Sequence, residues 1–150
     1  MINNISFDGF IQICIVVKNI EEKVKTWAEL FNVSVPEIRI GEPNRSPNLT
    51  YRGKEAYYGQ KLAVFQARGF VIELIEPTGG ESTFQEFFDK HGEGVHHLGF
   101  AVGEKRDAII GEMEELGYII RTLGFGAVNS WTVMDTEKQL GVNLNIKPKG

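Results

Sequence analysis

Two short runs, QICIVV at residues 12–17 and HLGFAV at residues 97–102, carry one pattern twice. Aligning Gln12 with His97 pairs Ile13 with Leu98, Ile15 with Phe100 and Val17 with Val102, large apolar residues that alternation places on one face of a strand. The other face pairs Gln12 with His97, Cys14 with Gly99 and Val16 with Ala101, small residues headed by a polar one. A solid core has no use for a small-and-polar face repeated in two places, whereas a cavity between two related strands does. Each run leads into a helical pattern. Asn19 and Glu22 form a capping-box-like pair, with Ile20, Val24, Trp27, Leu30 and Phe31 on one helical face. The second helix runs from about Glu104 to Leu116, with Ile109, Ile110, Met113 and Leu116 turned inward and Gly117 as its stop.

The remaining segments complete the repeat. SVPEIRIG reads as an edge strand because Pro36 has no N–H for a ladder, and EPNRSPNL as a loop. GQKLAVFQARG and FVIELIEP read as two strands about a tight Arg68-Gly69 turn, closed by Pro77. TGGESTFQEFFDKHGEG connects the halves through a short helix in which Ser82 and Gln85 cap and Phe84, Phe87 and Phe88 form a stripe. After the second helix come YIIRTLG, SWTVMDT and GVNLNIK, with EKQLG as a turn between the last two. The order is strand, helix, three strands, twice over.

Composition narrows the function. A chain of 150 residues, 42% hydrophobic and 24% charged, is ordinary globular material for about one domain. The net charge of −4 and scattered Lys and Arg give no basic footprint for a phosphate backbone, so nucleic acid is not an expected partner. Apolar runs such as ICIVV and KLAVF fall far short of the about 20 residues that span a bilayer, and MINNISFDGF lacks the charged and apolar regions of a signal peptide. The expectation is a soluble cytoplasmic protein without membrane association. Cys14 is the one cysteine, has no intrachain partner, and reads as a small core residue.

With QICIVVKN, VIELIEP, GVHHLGFAV and MDTEKQLGVNLNI in this order, the chain resembles the vicinal oxygen chelate superfamily over nearly its whole length. That superfamily includes glyoxalase I, methylmalonyl-CoA epimerase, extradiol dioxygenases and bleomycin-resistance proteins, and the stretch from IELIEP to GVHH is most similar to the epimerase and glyoxalase branch. The resemblance implies an α+β fold in which two tandem βαβββ modules form a curled mixed sheet around a cleft. Here those modules would be about 8–78 and 95–148, joined by a helical linker at 79–94 within one domain, 1–150. It also implies a homodimer, a small-molecule substrate or ligand, and a divalent metal ion (Zn, Ni, Co, Mn or Mg). Carried over by motif, the metal positions are Gln12, Glu73, His97 and Asn145, with Glu73 as the catalytic base. Asn145 departs from the pattern, since the family usually has a glutamate there and an amide carbonyl supplies no charge.

The branch chemistry is removal of a proton next to a carbonyl, with a cation holding the enolate oxygen and a base within reach. The expectation is therefore a metal-assisted lyase or isomerase; the alternative is a metal-free module that sequesters a small molecule, as bleomycin-resistance relatives do. An extradiol dioxygenase needs a second histidine where Gln12 stands. Other readings stay open. Gln12 serves equally as a structural amide, and Asn145 as a substrate contact or network member. Glu55 and Glu137 are the carboxylates that would replace a missing base. Tyr57, Tyr58, Trp131 and Phe100 are read as pocket wall or core, and Arg45, Arg52 and Lys54 as a basic loop or as contacts for an anion. His91 is assigned no function. His96 is expected on the face of Leu98 and Phe100, bonded to local backbone, with His97 alone looking into the cleft.

Overall fold

In the computed structural model, which describes residues 5–41, 43, 49–125 and 130–149, an eight-stranded sheet runs in the order β2-β5-β6-β1-β7-β10-β9-β8. Its strands are β1 (Phe10–Val16), β2 (Arg39–Gly41), β5 (Gly59–Gln66), β6 (Val71–Gly79), β7 (Gly94–Ala101), β8 (Ile120–Phe125), β9 (Ser130–Met134) and β10 (Asn143–Lys147). The order has an internal symmetry. β1 pairs parallel with β6 as β7 does with β10, each pair continues antiparallel outwards, and β1 and β7 join antiparallel at the centre. In the first half Cys14 faces Glu73 and in the second Gly99 faces Asn145, so the alignment of Gln12 with His97 makes Glu73 and Asn145 equivalent.

The large apolar face of each central strand is covered by a helix. α1 (Ile20–Phe31) starts where Asn19 Oδ1 accepts from the Glu22 N–H at 3.2 Å, and packs Ile20 and Val24 with Val17, Ala63 and Leu74. It ends at Asn32, which adopts the left-handed conformation. α3 (Arg106–Glu115) follows one turn of 3-10 helix and buries Ile109, Ile110 and Met113 on Met134 and Ile146. Two of the expected inward sets are too wide. Leu30 and Phe31 lie 77% and 65% exposed, with Phe31 stacked on Trp27, and Leu116 at 64% is beyond the last turn of α3.

The opposite, small-and-polar face is covered at one end by α2 (Thr83–His91), capped by Ser82 Oγ accepting from the Gln85 N–H at 3.0 Å. Phe84 and Phe87 pack there with Cys14, Val16 and Ile75. The segment read as a long loop contains a hairpin, β3 (Thr50–Tyr51) with β4 (Lys54–Glu55), and EKQLG forms a one-turn helix α4 (Glu137–Leu140). The hairpin joins the halves: Thr122 Oγ1 donates to Thr50 O at 2.7 Å and the Leu123 N–H to Thr50 Oγ1 at 3.1 Å.

An ion network locks the same junction. Arg121 is 2% exposed and donates to Glu86 at 2.6 Å and Glu137 at 2.9 Å, while Arg52 meets Glu86 at 2.7 Å and Asp135 at 3.4 Å. His91 also pairs with Glu137, so it has a structural partner that its sequence context did not suggest. Losing Arg121 leaves Glu86 to Arg52 and Glu137 to His91, but removes the buried centre of the network and two charge-assisted hydrogen bonds, each worth about 1.5–3 kcal/mol. Arg121→Ala is therefore expected to destabilise the fold by about 3 kcal/mol in urea unfolding, with an unchanged m-value.

Candidate functional site

Alternation along each strand gathers polar side chains from five strands onto the covered face. One register row reads Gln12, Gly99, Asn145, Val133, Thr122, and a neighbouring row reads Glu73, Cys14, His97, Asn143. Between them and α2 lies a cavity of about 110 Å³ whose wall includes Gln12, Gln60, Glu73, His97, Asn145 and Lys147, with Tyr58, Phe84 and Trp131 as its aromatic side. All four residues carried over by the resemblance meet at this one cavity.

Glycine makes the meeting possible. Gly99 stands between Gln12 and Asn145, and a Cβ there would lie 2.8 Å from both Gln12 Cβ and Oε1. Without it the Gln12 side chain crosses its neighbour strand, and Asn145 Nδ2 donates to Gln12 Oε1 at 3.1 Å. Gly124 does the same for the wall, because its cross-strand partner Trp131 lays its indole over the space a Cβ would occupy.

The hydrogen bonds have one consistent direction. The Thr132 backbone N–H donates to Asn145 Oδ1 at 3.0 Å, so Asn145 turns its amide nitrogen to Gln12, whose Oε1 must accept. Gln12 Nε2 then donates to Glu73 Oε2 at 3.0 Å, and His97 Nε2, 3.2 Å from Gln12 Oε1, must carry a proton. Burial holds the His97 pKa down at about 3, with the Lys147 charge adding to the effect, so the ring is neutral and its Nδ1 is an acceptor. His96 is also neutral, its pKa lowered well below the usual value by burial and then by His97. Its Nδ1–H donates to His97 Nδ1 at 2.8 Å, and its Nε2 accepts from the Thr83 hydroxyl at 2.8 Å.

The position of His96 corrects the expectation from simple alternation. Cys14 pairs with His97 but Ile15 pairs with Val95, so His96 is the extra residue of a β-bulge. The bulge brings the two rings together, centroids 5.1 Å apart, and seats His96 against Phe84 and Phe87. Its side chain bonds Thr83 and His97 rather than local backbone.

Glu73 is the only carboxylate among the described residues of the cavity wall. Burial raises its pKa, offset by the Cys14 thiol, Lys147 and Gln12. Cys14 is a core residue, as expected, and also a thiol bonded to Glu73, its pKa pushed well up by burial and then by that carboxylate. Lys147, Gln60 and Cys14 are the site residues that sequence reasoning missed. For Lys147 and Cys14 the period of two from Asn145 and Gln12 is the signal that finds them. Glu137 is spent on Arg121 and His91, and neither it nor the exposed Glu55 lines the cavity. Tyr58 lines it and Tyr57 is exposed; Phe100 packs on Phe10; Arg52 is held by Glu86; Lys54 is exposed; Arg45 lies outside the described residues.

The donor set suits a divalent ion in part. One ligand atom each of Cys14, Glu73 and His97 fall within 4.8 Å of one another, and Gln12 Oε1 adjoins His97 Nε2. His97 can free Nε2 by moving its proton to Nδ1, since His96 and then the Thr83 hydroxyl can reverse their bonds. Asn145 fits less well, because turning its oxygen inward would set its NH₂ against the Thr132 N–H.

A protein-family model for the glyoxalase/bleomycin resistance protein/dioxygenase superfamily matches residues 11–134. Among solved structures, the fold is similar to a hypothetical protein, BH1468, from Bacillus halodurans C-125, with TM-score 0.64 and 22% identity over 94% of each chain. It is also similar to the methylmalonyl-CoA epimerase of Mycobacterium tuberculosis, with TM-score 0.62 and 16% identity over 95% of this chain and 88% of that one. A curated relative, the uncharacterized protein YqjC of Bacillus subtilis, is 39% identical over 54 residues, 35% of this chain; the match spans about two-fifths (39%) of that relative's length.

Two predictions follow from the geometry. Gly99→Ala overpacks Gln12 and costs about 1–3 kcal/mol in denaturant unfolding. For pH, the folded His97 pKa of about 3 lies below the unfolded 6.5, so the unfolded chain binds more protons between them and stability falls on acidification. Glu73, raised in the fold, acts in the opposite sense just above its ordinary range, but His96 reinforces His97. From His97 alone the loss at pH 5 is about 2 kcal/mol, a Tm drop of about 4–8 °C from pH 7 in calorimetry of the metal-free protein.

Proposed function

The chain belongs to the glyoxalase/bleomycin resistance protein/dioxygenase superfamily, and from that premise we propose that it is a divalent-metal-assisted lyase or isomerase that abstracts a proton next to the carbonyl of a small molecule or thioester. One observation carries this reading: a half-buried carboxylate, Glu73, stands with His97 and Gln12 on the wall of one cavity and accepts a hydrogen bond from Gln12 Nε2. His97, Gln12 and Glu73 would hold the ion (Zn, Ni, Co, Mn or Mg), which when bound supplies Lewis-acid polarisation of the carbonyl oxygen.

The protein's own groups do the rest. Glu73 takes the proton, and burial raises its pKa towards the working range of a general base. Gln12 Nε2 donates to Glu73 and sets the carboxylate's orientation, while Tyr58, Phe84 and Trp131 exclude water. With Asn145 at the position equivalent to Glu73, the described residues of the wall include one carboxylate, so the proton leaves and returns on one face. The similarity to methylmalonyl-CoA epimerases makes an acyl-CoA thioester one candidate substrate.

A second reading has its own support. Asn145 presents nitrogen and Lys147 adds positive charge, both unfavourable to a dication, so the same cavity would serve a metal-free binding protein. The proposal also includes a cytoplasmic homodimer, in which pairing would cover exposed Leu30, Phe31 and Ile40.

In the enzyme reading, metal-loaded protein in D₂O exchanges the α-proton of methylmalonyl-CoA or a small carbonyl compound, followed by NMR. Glu73→Gln then lowers the rate by about 10²–10⁴-fold, and His97→Ala loses stoichiometric metal in elemental analysis. Protein purified without metal, with no exchange after metal addition and with ligand stabilisation that survives EDTA, would establish the binding reading instead.

A further inference from the structure

Asn145 withholds a negative charge from the ligand set, and its oxygen is committed to the Thr132 N–H. Lys147 deepens the shortage, because its charge faces Glu73 and offsets the carboxylate. With Gln12 and His97 neutral, those residues together offer a dication no net charge. A second anionic donor stands one row away on β1. Cys14 is paired in register with Glu73 on β6 and with His97 on β7, so it lies between them in the sheet. Neighbouring strands are about 4.7–4.9 Å apart, and three paired residues on one face carry their side chains abreast. One ligand atom from each of the three falls within 4.8 Å of the others. The thiol is fully buried and hydrogen-bonded to the Glu73 carboxylate.

We propose that Cys14 Sγ is a metal ligand beside Glu73 and His97, and that it makes the site select Zn²⁺ or Co²⁺ over Mg²⁺ or Mn²⁺. When the ion binds, the S–H bond gives way to a sulfur–metal bond and the proton passes to solvent. The ion thus takes the place of the proton that the thiol now presents to Glu73. Thiolate and carboxylate then carry two negative charges, one more than Lys147 offsets. His97 enters through Nε2, since Nδ1 faces His96, and Gln12 Oε1 adjoins that nitrogen as a further donor. Zinc accepts sulfur, imidazole nitrogen and carboxylate oxygen together. Magnesium and manganese favour oxygen and gain little from a thiolate. The inference rests on the metal site of the proposed function, and not on its proton transfer.

The test uses full-length protein stripped with EDTA, freed of the chelator and kept without added thiols. Titration with Co²⁺ is expected to raise a near-ultraviolet sulfur-to-cobalt charge-transfer band that saturates at one equivalent. The chain has one cysteine, so the band reports Cys14 alone. Zn²⁺ displaces the cobalt and removes the band, whereas a large excess of Mg²⁺ or Mn²⁺ leaves it in place. Cys14→Ser abolishes the band and weakens Zn²⁺ binding by at least about tenfold, the loss that even a group supporting a ligand causes. Thermal melts check that the variant folds. X-ray absorption at the zinc edge of wild-type protein, expected to show one sulfur at about 2.3 Å, decides the matter without any variant. One equivalent of Co²⁺ bound with no band, a zinc shell of nitrogen and oxygen only, or unchanged Zn²⁺ affinity in folded Cys14→Ser overturns the inference. A sulfur-free metal site that supports α-proton exchange refutes this inference alone. Sulfur-bound metal without exchange on any carbonyl probe refutes the enzyme reading alone, and failure to bind any of these ions refutes both.

Discussion

The backbone N–H of Thr132 sets the direction of the hydrogen bonds at the centre of the molecule. It can only donate, so Asn145 must give it an oxygen and turn a nitrogen towards Gln12. From there each partner has one choice left: Gln12 accepts through Oε1 and donates to Glu73, His97 donates from Nε2 and accepts at Nδ1, and His96 passes the sense on to Thr83. Reversing any one amide alone would set donor against donor in a buried place, at about 1–3 kcal/mol for each group left unpaired. Burial thus keeps both histidines neutral, and the network fixes their tautomers and keeps the glutamate bonded.

The symmetry of the sheet shows what has been changed to build this site. Glu73 and Asn145 occupy equivalent places on β6 and β10, and Ile75 and Lys147 stand two residues further along the same faces. The first half therefore carries a carboxylate followed by a core residue, and the second a neutral amide followed by a cation. A symmetric pair of carboxylates would demand a strongly positive guest. The arrangement seen here brings its own positive charge, displaced by one strand repeat, which faces Glu73 across the cavity wall.

Much of this was legible in the sequence because strand alternation is rigid. Alternation alone put Gln12 and His97 on one face, the resemblance added Glu73 and Asn145, and the structure places all four at one cavity. His96 was not legible, since a bulge at one residue cancels the alternation locally and leaves no distinctive residue type behind. Lys147 was within reach of the same period of two, but a lysine near a chain end reads as a solvated residue until the sheet closes over it. Gln60 depended on the curl of the sheet, which brings β5 across from β10 and is not written in any one strand. The ends of α1 and α3 show the opposite failure: Phe31 and Leu116 keep the helical apolar period after the surface it serves has ended.

The account stands or falls on the state of His97. Long-range ¹⁵N–¹H correlation NMR on the metal-free protein reads the charge and tautomer of each imidazole directly. Near pH 6 the account predicts His97 neutral with its proton on Nε2, and His96 neutral with its proton on Nδ1. An imidazolium at either position, or a His97 ring protonated on Nδ1 in the absence of metal, would contradict it.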